Sequence, residues 1–271
     1  MKIQISILLF LGCACVHLPI ATAQNAAPTV ATADVAALAA PLTAAQILEK
    51  SRQTYATFSS YKGSCSVVRD SVFALGDDAP MQDVSSASAQ IEFERGKQLS
   101  VEGVDSGGSP FRAQWTPDET WLEIARGRKE KGDVGKIERE IIGDKPDYPA
   151  RDALFASLSG VTGLTGSSIP NALMPDRFDL GNPFTLQGTA KLLPSRNLGN
   201  VACYVIEQTV PELNRVTTYW IEQKTFLLRR LTEEMGEQRY DDLPEIDGKK
   251  LPIMRVAYSQ SQFVFATTEA K

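Results

Sequence analysis

NLGNVACYVIEQTVPELNRVTTYWIEQKTFLLRRL, residues 197–231, decides the fold of this chain. It predicts three consecutive antiparallel strands, 201–208, 216–221 and 226–231. Pro211-Glu212-Leu213-Asn214 turns the chain after the first, and Glu222-Gln223-Lys224-Thr225 after the second. Short β-branched and aromatic runs between turn residues are the mark of hairpins. Side chains alternate along a strand, so Val201, Cys203 and Val205 point one way and Ala202, Tyr204 and Ile206 the other. A sheet wet on one face would alternate apolar with polar. Here both faces carry apolar groups, so something must cover the second: helices, a bound apolar ligand, or both.

The same period extends in both directions. Residues 61–74 form a strand region, broken by Gly76-Asp77-Asp78-Ala79-Pro80. Residues 89–95 place Ile91 and Phe93 on one face and Glu92 and Glu94 on the other. Gly96-Lys97 turns the chain into 99–104, and Gly107-Gly108 breaks it again. Residues 111–115 align Phe111, Ala113 and Trp115, and Thr116-Pro117-Asp118-Glu119 leads into 120–125. Residues 126–135 read as a charged hairpin tip and 134–142 as the strand that closes this set. The sheet resumes at 184–193, and Asp247-Gly248 predicts a tight turn between strands 239–246 and 250–265. Helices are few. Residues 42–58 carry the best one, with Thr43 and Gln46 as a capping box and Leu42 and Ile47 as a hydrophobic staple. Ile47, Leu48, Ser51, Tyr55 and Phe58 recur at helical spacing as its buried stripe. Residues 150–158 predict a short helix with Leu154, Phe155 and Leu158 on one side. Residues 169–174 predict one helical turn between Pro170 and Pro175. The expectation is one domain, 42–271, of about ten or eleven antiparallel strands with a few helices.

The N-terminus reads as a secretory signal peptide, residues 1–23: Lys2, an apolar run, then Ala21-Thr22-Ala23 as a small-x-small cleavage site. A competing cut before Cys13, after Phe10-Leu11-Gly12, would leave a lipoprotein tethered to the outer membrane. Residues 24–41, rich in Ala, Thr and Val, read as a flexible leader. Cleavage after Ala23 discards the chain's single histidine, His17. The mature protein then has no histidine base, no histidine metal ligand and no Ser-His-Asp or Cys-His nucleophile. No Ser-x-x-Lys stands at a helix start. The acids Asp241, Asp242, Glu245 and Asp247 lack a calcium-loop spacing. The net charge of −5 and the lack of a basic stripe argue against nucleic acid. Arg126, Arg128, Lys129 and Lys131 cluster at a hairpin tip interrupted by acids and read as a solvated turn. Arg229, Arg230, Glu233 and Glu234 read as cross-strand ion pairs on the wet face. Cys65 and Cys203 survive cleavage, either as one disulfide or as two separate buried thiols.

Several motifs together resemble a known family. The first helix carries Ile-Leu-x-Lys and then Tyr-x-x-Phe-x-Ser-Tyr. It is followed by Ile91-x-Phe93-x-Arg95-Gly96-Lys97-x-Leu99 and by Trp115-Thr116-Pro117-Asp118-Glu119-Thr120-Trp121. Later come Cys203-Tyr204-Val205-Ile206, Tyr219-Trp220-Ile221-Glu222-Gln223-Lys224-Thr225 and Leu227-Leu228-Arg229-Arg230-Leu231. The set resembles the outer-membrane lipoprotein carrier superfamily (LolA/LolB-like), which includes the sensor domains of periplasmic stress regulators. The resemblance runs over about residues 41–265. It departs at Gly96, where carriers often have Pro, and at Asp118-Glu119, where Asp-Gly is usual.

The resemblance implies an unclosed, strongly curved antiparallel β-barrel, a half-barrel with helices lying over its concave face as a lid above an apolar cavity. Arg95 matches the internal arginine that helps hold the lid in carriers. Phe93, Phe111, Trp115, Trp121 and Trp220 are the candidate ligand-binding aromatics, unless they simply pack beneath the helices. The expected function is a non-enzymatic periplasmic carrier with no cofactor, holding a lipid or a lipoprotein acyl chain. A membrane-associated delivery partner is implied as well. The alternative is a periplasmic sensor or scaffold domain that binds a protein partner and has a filled core.

Overall fold

The computed structural model describes residues 41–75, 79–126, 136–144, 149–162, 166–175, 182–240 and 254–271. The signal peptide, Cys13, the leader up to residue 40, most of the basic tip and the acids of 241–247 lie outside them. Leu42–Lys271 forms one unit. Its helices are α1 (Ala44–Thr57), α2 (Ala150–Thr162) and α3 (Ser168–Leu173). Its strands begin with β1 (Ser60–Leu75), β2 (Met81–Glu94), β3 (Gln98–Val104), β4 (Pro110–Trp115), β5 (Thr120–Arg126) and β6 (Lys136–Ile141). They continue with β7 (Thr189–Leu198), β8 (Val201–Val210), β9 (Arg215–Glu222), β10 (Leu228–Met235), β11 (Gln238–Tyr240) and β12 (Met254–Ala270).

All twelve strands form one antiparallel sheet in the order β6-β5-β4-β3-β2-β1-β12-β10-β9-β8-β7, with β11 paired to β12 off this path. Each half is a meander. The long β1–β12 pair joins them in register from Tyr61 opposite Ala270 to Leu75 opposite Met254. The sheet does not close: β6 and β7 are its two edges among the described residues. It is an unclosed, curved half-barrel with the helices on the concave side. Register shifts at Lys62/Gly63, Leu193/Arg196 and Leu228/Arg230 add local bend.

Over β2–β5 the concave face is apolar because alternation and register agree. Ala89, Gly103, Phe111 and Ile124 form one cross-strand row. Ile91, Val101, Ala113 and Leu122 form the next, and Phe93, Leu99, Trp115 and Thr120 the third. Gly103 is required in the first row, since a Cβ there would sit 1.9 Å from the Ser88 carbonyl oxygen. The rows belong to one buried cluster with α1, α2, α3 and Phe263 and Phe265 of β12.

Helix α1 follows its local chemistry. The Thr43 hydroxyl accepts from the Gln46 amide at 3.3 Å, and Gln46 Oε1 accepts from the Thr43 amide at 2.8 Å. Ala44, Ile47, Leu48, Ser51 and Tyr55 are its buried stripe, while Phe58 is half-buried at the C-cap.

The structure departs from some of these expectations and decides between the two readings of the cysteines. The strand expected at 184–193 starts at Thr189. Phe184 is instead a buried turn residue, and Gly188 at φ +68° feeds the strand. The strand expected from 226 starts at Leu228, because Phe226 sits at φ +57° as part of the turn. Cys65 and Cys203 are free and buried. Cys65 shares the concave face with Ala89 and Phe265, whereas Cys203 pairs across strands with Glu222 on the other face, so they cannot meet. Glu233 is not on the wet face: it pairs with Thr217 on the concave side and meets Arg215 at 3.9 Å. Arg229 does bridge Glu222 as an ion pair.

Candidate functional site

The concave face of β2–β5 and the helices over it form the candidate site. Phe93 and Phe111 lie there almost fully buried, and Trp115 is half-buried against the same cluster. Trp115 also lines a groove of about 500 Å³ with Ile141, Ile142, Pro117, Pro149 and Arg151. This groove opens between the β4–β5 turn and the start of α2.

The other two aromatics lie elsewhere. Trp121 pairs with Gln114 and Ile141, one step out of phase with Leu122, so it is on the convex face. The Arg139 guanidinium lies 4.2 Å above its ring. Trp220 pairs with Val205 and Arg230 on the convex face too, with the Arg230 guanidinium 5.7 Å from its ring. The structure therefore brings Phe93, Phe111 and Trp115 together and leaves Trp121 and Trp220 outside the group.

Arg95 stands where β2 ends. Its Nε donates to the Phe58 carbonyl at 2.8 Å, and its Nη2 donates to the carbonyls of Ala56 at 2.7 Å and Leu173 at 3.2 Å. The first two acceptors are terminal carbonyls of α1, which a cation suits. The third belongs to α3. One guanidinium thus ties sheet, α1 and α3 together, and its charge lies 5.3 Å from the Phe93 ring.

The helices differ in how they are held. α1 is pinned from within: the Ser51 hydroxyl donates to the Phe226 carbonyl, and the Leu228 amide donates to the Tyr55 hydroxyl at 3.3 Å. Burial holds the Tyr55 phenol well above its ordinary pKa, so it stays neutral as that acceptor. α2 packs on β4 and β5, and α3 packs on α1 and β2. Leu154, Phe155 and Leu158 of α2 and Ile169, Ala172 and Leu173 of α3 fill the hollow. Three polar atoms go down with them without a partner, Asp152 Oδ2 and both amide atoms of Asn171. An unpartnered buried polar group costs about 1–3 kcal/mol. The packing of α2 and α3 therefore carries a penalty that the packing of α1 does not.

Sequence reasoning missed Gln208 and Arg215 of the concave face and Asn182 of the loop before β7, and put Glu233 on the other face. They are distant in the chain, and strand register and loop path bring them to one place. Among the described residues no three His, Cys, Asp or Glu side chains gather as a metal site, and no helix is long and apolar enough to cross a membrane.

No protein-family model matches the chain, and no curated protein matches its sequence. Several solved structures are similar to it. One is a LolA superfamily protein from Nitrosomonas europaea, 15% identical over 85% of this chain and 94% of that one, with a TM-score of 0.25. Another is described as an outer membrane lipoprotein-sorting protein domain from Vibrio parahaemolyticus, 8% identical over 83% and 90%, with a TM-score of 0.27. A third is a chain of the MucA/MucB complex from Pseudomonas aeruginosa, 9% identical over 84% of this chain and 58% of that one, with a TM-score of 0.35.

Proposed function

We propose that this protein is a non-enzymatic binding protein that holds an acyl chain, of a lipid or a lipoprotein, between the concave sheet and the α2–α3 roof. One observation carries the reading: an apolar concave face over β2–β5 is covered by α2 and α3, which bury unpartnered polar atoms, and α3 is tied to the sheet through Arg95. Displacing the roof would uncover Phe93, Phe111 and the rows beside them. Each methylene moved from water into such a hollow is worth about 0.8 kcal/mol, so a 16-carbon chain gains about 12 kcal/mol before the costs of opening and ordering. In this reading the roof's own Leu154, Phe155, Leu158 and Leu173 are the stand-ins that a ligand replaces. Phe93, Phe111 and Trp115 form the binding set, and Arg95 is the latch that governs access to it.

The protein would act in the periplasm or outside the cell once residues 1–23 are removed, and would pass its ligand to a membrane-associated partner. If Cys13 is acylated instead, the protein itself sits on the outer membrane. The resemblance of its motifs to LolA/LolB-like carriers points the same way.

A second reading, a sensor or scaffold that binds a protein, is favoured by β6, an edge of the sheet among the described residues, whose Ile137 and Ile141 are 56% and 58% exposed. An open edge with apolar side chains can accept an added strand. Trp115→Glu separates the two. Lipid extracted from detergent-free wild-type protein, and missing from a folded variant, supports the carrier. Wild-type protein without any lipid supports the filled-core scaffold, and a folded variant that keeps the same lipid places the chain away from Trp115.

A further inference from the structure

The concave face is not apolar throughout. Towards the β9–β10 end it holds a partly open cavity of about 240 Å³ with Leu231 and Phe263 on its apolar side. Its polar side is built from Asn182, Gln208, Arg215, Thr217, Tyr219 and Glu233. Four of them are buried, Gln208 at 2% exposed, Tyr219 at 4%, Thr217 at 5% and Asn182 at 7%, while Arg215 and Glu233 are partly exposed.

Most of this polar wall is internally satisfied. The Tyr219 hydroxyl donates to Gln208 Oε1 at 2.7 Å, and Gln208 Nε2 donates to the Gln187 carbonyl at 2.7 Å. Asn182 Oδ1 accepts from the Phe184 amide at 3.0 Å. Arg215 donates from Nη2 to the Gln187 side chain and stands 3.9 Å from Glu233. Two buried groups are left over, Asn182 Nδ2 and Arg215 Nε, and neither has a partner. Both are N–H donors on residues that line the same cavity, and neither can accept. Glu233 offsets the arginine charge, which disfavours a second carboxylate or a phosphate as the missing partner. What fits is a neutral group rich in acceptor oxygens.

We infer that this cavity is a head-group subsite for the ester or amide carbonyls of a neutral amphiphile, whose chain runs on into the apolar hollow past Leu231 and Phe263. This rests on the binding function proposed above and adds the chemical class of the ligand. Arg215 Nε and Asn182 Nδ2 donate to the carbonyl oxygens, and the apolar wall orients the chain away from them. A chain without acceptors would leave both donors unpartnered and bind less well.

The test displaces an apolar fluorophore from the full mature chain with two probes of equal chain length, 1-decanoylglycerol and decane. Two variants accompany it. Asn182→Asp keeps the acceptor for the Phe184 amide and loses the Nδ2 donor; Arg215→Lys keeps the charge and loses Nε. The expected result is that wild type prefers the ester about tenfold, the value of one good buried hydrogen bond. Each folded variant loses most of that preference while binding decane unchanged. Equal binding of the two probes by wild type, or a preference that survives in both variants, overturns the subsite and leaves the binding function standing. Failure of both probes to displace the fluorophore overturns both.

Discussion

Replacing Arg95 by methionine tests the roof directly. The substitution keeps a long apolar side chain near Phe93 and deletes the donors to Ala56, Phe58 and Leu173. The bonds to Ala56 and Phe58 hold the end of α1, and their loss should lower global stability by about 1–2 kcal/mol, since a hydrogen bond nets about 0.5–1.5 kcal/mol. The bond to Leu173 holds α3 alone. Its loss, at about 1 kcal/mol, should raise the fraction of molecules with the roof open roughly fivefold. Amide hydrogen exchange reads this by region. Amides of α2 and α3 should exchange about fivefold faster, beyond any change in β8 and β9. Unchanged protection in α2 and α3, or an equal rise across roof and sheet, would refute the claim that Arg95 latches a separately opening roof.

Other outcomes follow from the same contacts. Thr43→Ala removes half of the α1 capping box and should cost about 1 kcal/mol in denaturant unfolding. Tyr55→Phe leaves the buried Leu228 amide without its acceptor and should cost about 1–3 kcal/mol by the same measurement. Trp121→Glu should leave lipid uptake intact, because Trp121 is on the convex face; uptake lost from a folded Trp121→Glu protein would contradict that placement. Burial pushes the Glu222 carboxyl up, but hydrogen bonds from Arg229 and Thr225 and the charges of Arg229 and Lys224 outweigh it and hold it below the ordinary 4.5. A carboxyl lowered in the folded state stabilises above its unfolded pKa and loses that contribution as pH falls through the folded value. The stability advantage of wild type over Glu222→Gln should therefore be constant at neutral pH and shrink as pH falls below about 4.5. Both cysteines should alkylate only after unfolding, since they are buried, free and raised in pKa by burial.

What was legible in the sequence was local. The capping box of Thr43 and Gln46 and the stripe from Ile47 to Tyr55 depend on neighbours within a turn or two, and α1 forms as they dictate. Alternation marked most strands because each pairs with a chain neighbour across a short turn. Phe184 and Phe226 misled because aromatic residues favour strands, while tertiary packing places one in a buried turn and the other at positive φ. The site was legible only in part. Phe93, Phe111 and Trp115 share a face by period two and simple hairpin register, and motif resemblance marked Arg95. That Trp121 faces the other way could have been read from Leu122, its neighbour in phase with the apolar row. The placement of Cys65 against Cys203, and of Asn182 beside Arg215, depends on strand order and loop path, for which the linear sequence carries no signal.

The central claim is that the hollow beneath α2 and α3 exchanges its own leucines and phenylalanine for a foreign acyl chain. Native mass spectrometry of the full mature chain, incubated with phospholipid vesicles and separated without detergent, measures this most directly. The account predicts a protein carrying one lipid, with occupancy rising faster in Arg95→Met than in wild type. A bare polypeptide mass in both proteins at every vesicle concentration would contradict it.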